Sequence, residues 1–164
     1  FGLLITEEDC NPESLPLDET PIAVLGALAT HLRSPLPVGE HAAGFVEGAM
    51  NDAIGRASRE FAADGSMTNS DDWSAALLDW SSKYQFKTIV TAYAPVGPVA
   101  ELLADARETL ASNGVSLLQL RRPYDTATWP HAQRSFFRFR KQVLAELDRL
   151  GVGSGREIDR KKAG

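Results

Sequence analysis

Four short passages hold the side chains best suited to bind a ligand or act on one. They are Thr6-Glu-Glu-Asp9, Thr30-His-Leu-Arg33, Tyr93-Ala-Pro-Val-Gly-Pro98 and Arg121-Arg-Pro-Tyr124. Together they offer the carboxylates of Glu7 and Glu8, one histidine, arginines and two tyrosines. Arginines such as Arg121 and Arg122 hold phosphate or carboxylate groups through paired N–H donors. The turn at Pro95, Gly97 and Pro98 leads into a helix whose first N–H groups lack partners and attract anions. A polar, anionic ligand is the chemistry this set suits.

Each residue also has a plainer reading. Arg121 and Arg122 pair with Glu7, Glu8 or Asp9, and Tyr93 packs half-buried at a strand end. His31 stands without a second histidine or carboxylate at ligand spacing, so no metal site is expected. Cys10 has no nearby cation to lower its pKa and reads as an inert thiol. The chain has no phosphate-binding loop ending in Gly-Lys-Ser/Thr, no Gly-x-Gly-x-x-Gly after a strand, no nucleophile elbow and no zinc spacing. No catalytic residue is assigned.

The elements that must position these loops follow from the hydrophobic pattern. The β-branched run Thr88 to Tyr93 stops at a Pro/Gly turn, and Pro98 suits the first position of a helix because its missing N–H is unpaired there anyway. Val99, Leu102, Leu103, Ala106 and Leu110 follow at helical spacing until Asn113-Gly114 ends the helix. Val115 to Leu120 is a further buried-type strand. This β–α–β unit predicts parallel strands, whose ligands sit where strands end and helices begin.

Upstream, Phe1–Thr6 and Pro21–Ala29 read as strands, the second apolar throughout as expected when both faces are covered. A helix over about 41–61 carries the stripe Ala42, Phe45, Val46, Ala49, Met50, Ala53, Ile54, Ala57 and Phe61. Asp64-Gly65 breaks it. Asn69 or Ser70 caps the next helix, in which Trp73, Ala76, Leu77 and Trp80 share a face. Arg121–Pro130 reads as a loop. A last helix over roughly 131–150 buries Phe136, Phe137, Val143, Leu144, Leu147 and Leu150, with Arg134, Arg138, Lys141 and Arg149 outward.

The pattern gives four strands. The fold class it predicts is α/β: a three-layer sandwich around a mostly parallel, Rossmann-like sheet of about four to five strands, with helices on both faces. Residues 1–150 form the domain and 151–164 a flexible, charged tail. The strand-like start at Phe1 points to an excised piece of a longer protein.

The 164 residues suffice for one core. No apolar run approaches the roughly 20 residues that span a bilayer, so no membrane partner is expected. The single cysteine excludes an internal disulfide framework and fits a reducing cytoplasm. Net charge is −5 but unevenly divided. Residues 1–82 hold 14 acidic and 3 basic side chains, and residues 83–164 hold 8 acidic and 14 basic. Either the halves attract one another or the basic half meets an anionic partner. No long basic block establishes a general nucleic-acid surface.

Trp129-Pro-His-Ala-Gln-Arg-Ser-Phe-Phe-Arg-Phe-Arg140 is a second distinctive passage. Trp129 before Pro130 is held extended. Its aromatic residues either staple a helix start or, with Phe136, Phe139, Arg134 and Arg138, dock another domain; aromatic and arginine side chains are what interface cores favour.

Tyr93-Ala-Pro-Val-Gly-Pro98, Arg122-Pro-Tyr-Asp125, the Trp129 passage and the opening Leu4-Ile-Thr-Glu-Glu-Asp9 together resemble the α/β domain of the photolyase/cryptochrome flavoproteins. The likeness is nearest to bacterial photolyase-related FAD-binding proteins, and it is strongest over residues 78–145. It implies the non-flavin half of a two-domain protein. FAD and light-driven electron transfer then belong to an all-helical domain of the same parent chain, and this piece is not active alone. DNA is a partner only through the full-length protein, a photolyase-like lyase or a photoreceptor. Trp73, Trp80 and Trp129 are not the family's electron-transfer tryptophans. The family's first-strand loop is rich in arginine and aspartate, whereas Glu7-Glu8-Asp9-Cys10 stands here, which argues against antenna-chromophore binding by this piece. The alternative from the residues alone is a self-contained nucleotide- or small-molecule-binding α/β domain. The expected binding or interface residues are Glu7, Glu8, Tyr93, Pro95, Gly97, Pro98, Arg121, Arg122, Trp129, Phe136 and Arg138.

Overall fold

A computed structural model describes residues 1–132 and 135–151. The chain divides after Leu120 into two compact units. The first is a five-stranded, wholly parallel sheet in the order β3-β2-β1-β4-β5, formed by β1 (Gly2–Thr6), β2 (Ala23–Ala27), β3 (Asp64–Thr68), β4 (Thr88–Ala92) and β5 (Ser116–Leu120). Helix α1 (Glu40–Phe61) joins β2 to β3, α2 (Trp73–Tyr84) joins β3 to β4, and α3 (Pro98–Ser112) joins β4 to β5. The expected Rossmann-like, layered α/β fold is what the chain adopts.

The alternation of side chains along each strand sorts the core into two layers. Leu3, Ile5 and Val24 face Met50, Ala53, Ile54 and Ala57 of α1. Leu4, Leu25, Ile89 and Leu117 face Trp73, Leu77 and Trp80 of α2 and Val99, Leu103, Ala106 and Leu110 of α3. Strands sandwiched this way read as nearly unbroken apolar runs, as β1 and β2 do.

A fifth strand beyond the four expected is β3, at the Asp64-Gly65 that ends the α1 pattern. Asp-Gly-Ser-Met-Thr has no alternating apolar pattern because it is an edge strand with no fully buried residue. Its pairing with β2, from Ala23 opposite Asp64 to Ala27 opposite Thr68, makes it a strand regardless. The stripe on α1 is also shorter than expected. Its last three turns are buried, but Ala42 is exposed and Phe45 is 77% exposed, since the helix begins before it reaches the sheet. Helix α2 is capped by Asp72, two or three residues past the expected cap. The Asp72 side chain accepts a hydrogen bond from the Ala75 N–H at 2.9 Å.

The connection from β1 to β2 has no α-helix. Residues 7–22 contain only a 3-10 turn at Pro12–Ser14, with Leu15 and Leu17 packed towards the α1 layer. Arg56 on α1 ties this segment down. It donates to the Cys10 carbonyl at 2.6 Å and to Asp52 at 2.8 Å, and it also pairs with Glu13.

The second unit begins at Arg121. Its first ten residues were expected to form a loop, yet Pro123–Thr128 is a short helix (α4), and a 3-10 turn follows at Trp129–His131. Proline is the first residue of α4 and the second of the turn, where a missing N–H costs nothing; Trp129, expected to be extended, is helical at φ −57° and ψ −38°. Helix α5 (Phe136–Arg149) starts five residues later than expected, with the Ser135 side chain accepting from the Arg138 N–H. None of its residues is fully buried. Phe136, Phe137 and Leu144, expected inside, are 68%, 74% and 64% exposed. The elements α5 packs on, α4 and the 129–131 turn, are too short to cover both sides of it. The expected tail, beyond Gly151, and Arg134 lie outside the described residues. No helix of the described chain is long and apolar enough to cross a membrane.

Candidate functional site

The strand order reverses between β1 and β4, since β1 leads outward to β2 on one side while β4 leads to β5 on the other. At such a point the loops leaving the two strands diverge and open a crevice at their carboxyl ends. Here those loops are Glu7–Asp9 after β1 and Tyr93–Gly97 after β4, two of the four passages chosen from sequence. The loop after β2, Thr30–Arg33, joins them.

Glu7 organises this edge. Its side chain is 1% exposed, and Oε2 accepts hydrogen bonds from the Ala29 N–H at 3.0 Å and from Thr30 Oγ1 at 2.6 Å. Oε1 lies 3.1 Å from Arg33 Nε in an ion pair. Glu8 also reaches Arg33, accepting from Nη2 at 2.8 Å, while its Oε2 is buried without a hydrogen-bond partner among the described residues. One guanidinium therefore serves two carboxylates, the fork geometry that arginine provides and lysine does not. Arg33 was placed at this edge by sequence but not singled out as a site residue. The signal was present: an arginine three residues past a strand end, opposite a Glu-Glu pair.

The turn after β4 is held by the neighbouring strand. The Tyr93 N–H donates to the Leu120 carbonyl at 2.8 Å and the Ala94 N–H to Gln119 Oε1 at 3.1 Å. Tyr93 is 38% exposed. Gly97 caps α3 at φ 157° and ψ −177°, a region that essentially only glycine occupies. A Cβ there would stand 3.8 Å from Glu8 Oε1, so the Glu8 carboxylate already neighbours the positive end of α3. The acceptor oxygens of Glu7 and Glu8 suit a ligand that donates hydrogen bonds, such as a hydroxyl or an amine.

Of the remaining candidates, Pro95 is exposed and Pro98 half-buried at the start of α3. His31 sits in a 3-10 turn with Nε2 2.5 Å from Asp71 Oδ1. In the second unit, the Arg121 guanidinium stacks over the Trp129 ring at 4.9 Å, and Arg122 is the cap residue of α4. Arg138 and Phe136 are exposed on α5. Trp73 and Trp80 are core residues of the sheet unit.

Cys10 does have a cation nearby, contrary to expectation, because Arg56 donates to its carbonyl. Its thiol pKa is nonetheless raised, chiefly by burial and next by the Asp9 charge, and the Arg56 charge only partly offsets these. Among the described residues, no group of three or more histidine, cysteine or carboxylate side chains is placed to hold a metal ion.

Another cavity lies elsewhere. A groove of about 510 Å³ runs over the other end of β4 and β5, lined by Phe1, Leu17, Ile22, Val90, Leu118 and Leu120, with Asp18, Glu19 and Lys87 also at its walls. No protein-family model matches the chain, and no curated protein matches it in sequence.

Proposed function

We propose that the chain serves as the non-catalytic α/β domain of a photolyase/cryptochrome-like flavoprotein of the cytoplasm. Light-dependent DNA repair or photoreception then belongs to the full-length protein, whose FAD sits in a separate all-helical domain packed beside this one. One observation supports the reading above the others. The passage Tyr93-Ala-Pro-Val-Gly-Pro98, which carries much of the resemblance, is the strand-to-helix turn at the point where a wholly parallel sheet reverses its order.

The test is to purify the intact gene product and record its absorption. A flavin spectrum, with FAD released on denaturation, is the expected result. A colourless protein that stays colourless after incubation with excess FAD overturns the reading. The 164-residue chain itself is expected to give no heat on titration with FAD.

The Glu7–Glu8–Arg33 cluster favours a second reading, a self-contained domain that binds a small molecule through hydroxyl or amine donors, such as the ribose of a nucleoside. Calorimetric titration with nucleosides and nucleotides separates the two. Binding that Glu8→Gln weakens supports this reading, and silence at millimolar ligand removes it.

A further inference from the structure

One row of side chains crosses the sheet on the α1 face, and it shows where cover runs out. Gly65 pairs with Val24, Val24 with Leu3, Leu3 with Val90 and Val90 with Leu118, so the four side chains of this row share one face of the pleat. Val24 and Leu3 are 0% exposed, Val90 is 7% and Leu118 is 49%. Helix α1 packs on β1, β2 and β3, and the β1–β2 connection supplies no helix for the rest. The 510 Å³ groove is the uncovered remainder. An apolar sheet face at this position normally carries a helix.

Helix α5 has the complementary surface. Phe136, Arg140 and Leu144 follow at intervals of four, which places them in one line on the helix, with Phe137 and Lys141 beside it. Phe136, Phe137 and Leu144 are all more than 60% exposed. The charges also match. Residues 1–120 carry 17 acidic and 6 basic side chains, a net −11, whereas residues 121–164 carry 11 basic and 5 acidic, a net +6. Asp18 and Glu19 stand in the groove wall against its single lysine, Lys87. The lengths agree too: 14 helical residues span about 21 Å, and a five-residue strand about 17 Å.

We propose that this groove receives helix α5 of a second copy of the chain, and that the exchange is mutual. Each copy offers its groove to the other's helix, which gives a closed dimer with two equivalent contacts. Phe137 and Leu144 enter the apolar trough over Leu118 and Val90, while Arg140 and Lys141 face Asp18 and Glu19. The inference stands apart from the flavoprotein reading, because it uses neither the strand-end loops nor a helical partner domain.

Sedimentation equilibrium of the 164-residue chain over a wide concentration range tests it. The expected result is a reversible dimer whose dissociation constant rises at least about tenfold between 50 and 500 mM salt. Leu118→Lys in the groove and Leu144→Glu on the helix each weaken the dimer by about a hundredfold. Both positions are exposed in the single chain, so unchanged circular dichroism is expected and separates loss of association from unfolding. Mixing the two variants is decisive. One intact groove then meets one intact helix, and a heterodimer forms more tightly than either variant self-associates. Reversing both partners, Asp18→Lys and Glu19→Lys with Arg140→Glu and Lys141→Glu, restores what either reversal alone removes. A chain that stays monomeric at millimolar concentration overturns the proposal. So does a dimer insensitive to these variants, or a mixture that fails to recover association.

Discussion

Glu7 and Arg33 form an unequal pair: the carboxylate is 1% exposed and the guanidinium 39%, with Oε1 and Nε 3.1 Å apart. A charge so deeply buried requires compensation. It comes from one cation at the rim and two donors, the Ala29 N–H and the Thr30 hydroxyl. The pair thus ties the loop after β1 to the loop after β2. Glu7→Ala leaves Ala29 and Arg33 without this acceptor and is expected to cost about 2–4 kcal/mol. Arg33→Ala strands the buried charge and should cost nearly as much. Glu7→Gln keeps an acceptor and should cost less than either. Urea unfolding midpoints rank the three; a Glu7→Gln variant as stable as the unchanged chain would show that the charge contributes nothing.

A methyl group at Gly2 would overlap the rings of Phe86 and Trp80, which meet edge to face with centroids 4.7 Å apart. Both rings are buried and neither can turn aside without displacing α2. Gly2→Ala is therefore expected to destabilise the sheet unit by about 1–3 kcal/mol. A thermal unfolding scan checks this, with Gly114→Ala as a contrast. At Gly114 nothing lies within 4 Å, so the cost there comes from its φ of 73° alone.

Asp72→Ala removes the acceptor for the Ala75 N–H at the start of α2 and should cost about 1 kcal/mol. Asp72→Asn keeps the acceptor and should recover most of that. Amide exchange at Ala75 reports the loss directly. It is expected to speed up in the alanine variant, with β5 unaffected.

The Cys10 thiol, raised above its ordinary value of 9.0 mainly by burial, should react slowly with a disulfide reagent at neutral pH, at least about tenfold slower than in urea. Because the folded pKa is the higher one, the thiol's contribution to stability is fully present below pH 9 and fades as pH rises through the folded value. Arg56 is a lowering influence, so Arg56→Gln should push the thiol further up and slow the reaction again. The same change removes the hydrogen bond to the Cys10 carbonyl and should speed proteolysis within residues 10–20. Faster thiol reaction with no change in proteolysis would contradict the assignment.

The elements legible in the sequence were those whose pattern comes from burial on both sides. The runs around Leu3 and Val24 are apolar because helices cover both faces, the run around Ile89 is apolar although helices cover only one of its faces, and Val99 to Leu110 repeats at helical spacing because one side of α3 meets the sheet. Where burial is partial, the signal weakens. β3 has no fully buried residue and is held by main-chain pairing, which leaves no mark on residue types. Phe136 and Phe137 misled for the opposite reason: apolar side chains announce a contact, not which molecule supplies it. At the strand-end rim, Glu7 and Glu8 could be picked out by type, but their partner could not. Assigning Arg33 to them needed the relative positions of β1 and β2, which depend on strand order.

β1 is the middle ribbon of the sheet, with residues 2–4 bonded to residues 89–91 on one side and residues 2–6 to residues 23–27 on the other. Some 85 residues must therefore leave the ribosome after β1 before its second neighbour arrives. Until then one side of the central ribbon bears open N–H and C=O groups, the kind of edge that recruits stray strands. Truncation before residue 88 should yield an insoluble product, and nascent chains stalled there should be the ones that chaperones hold longest.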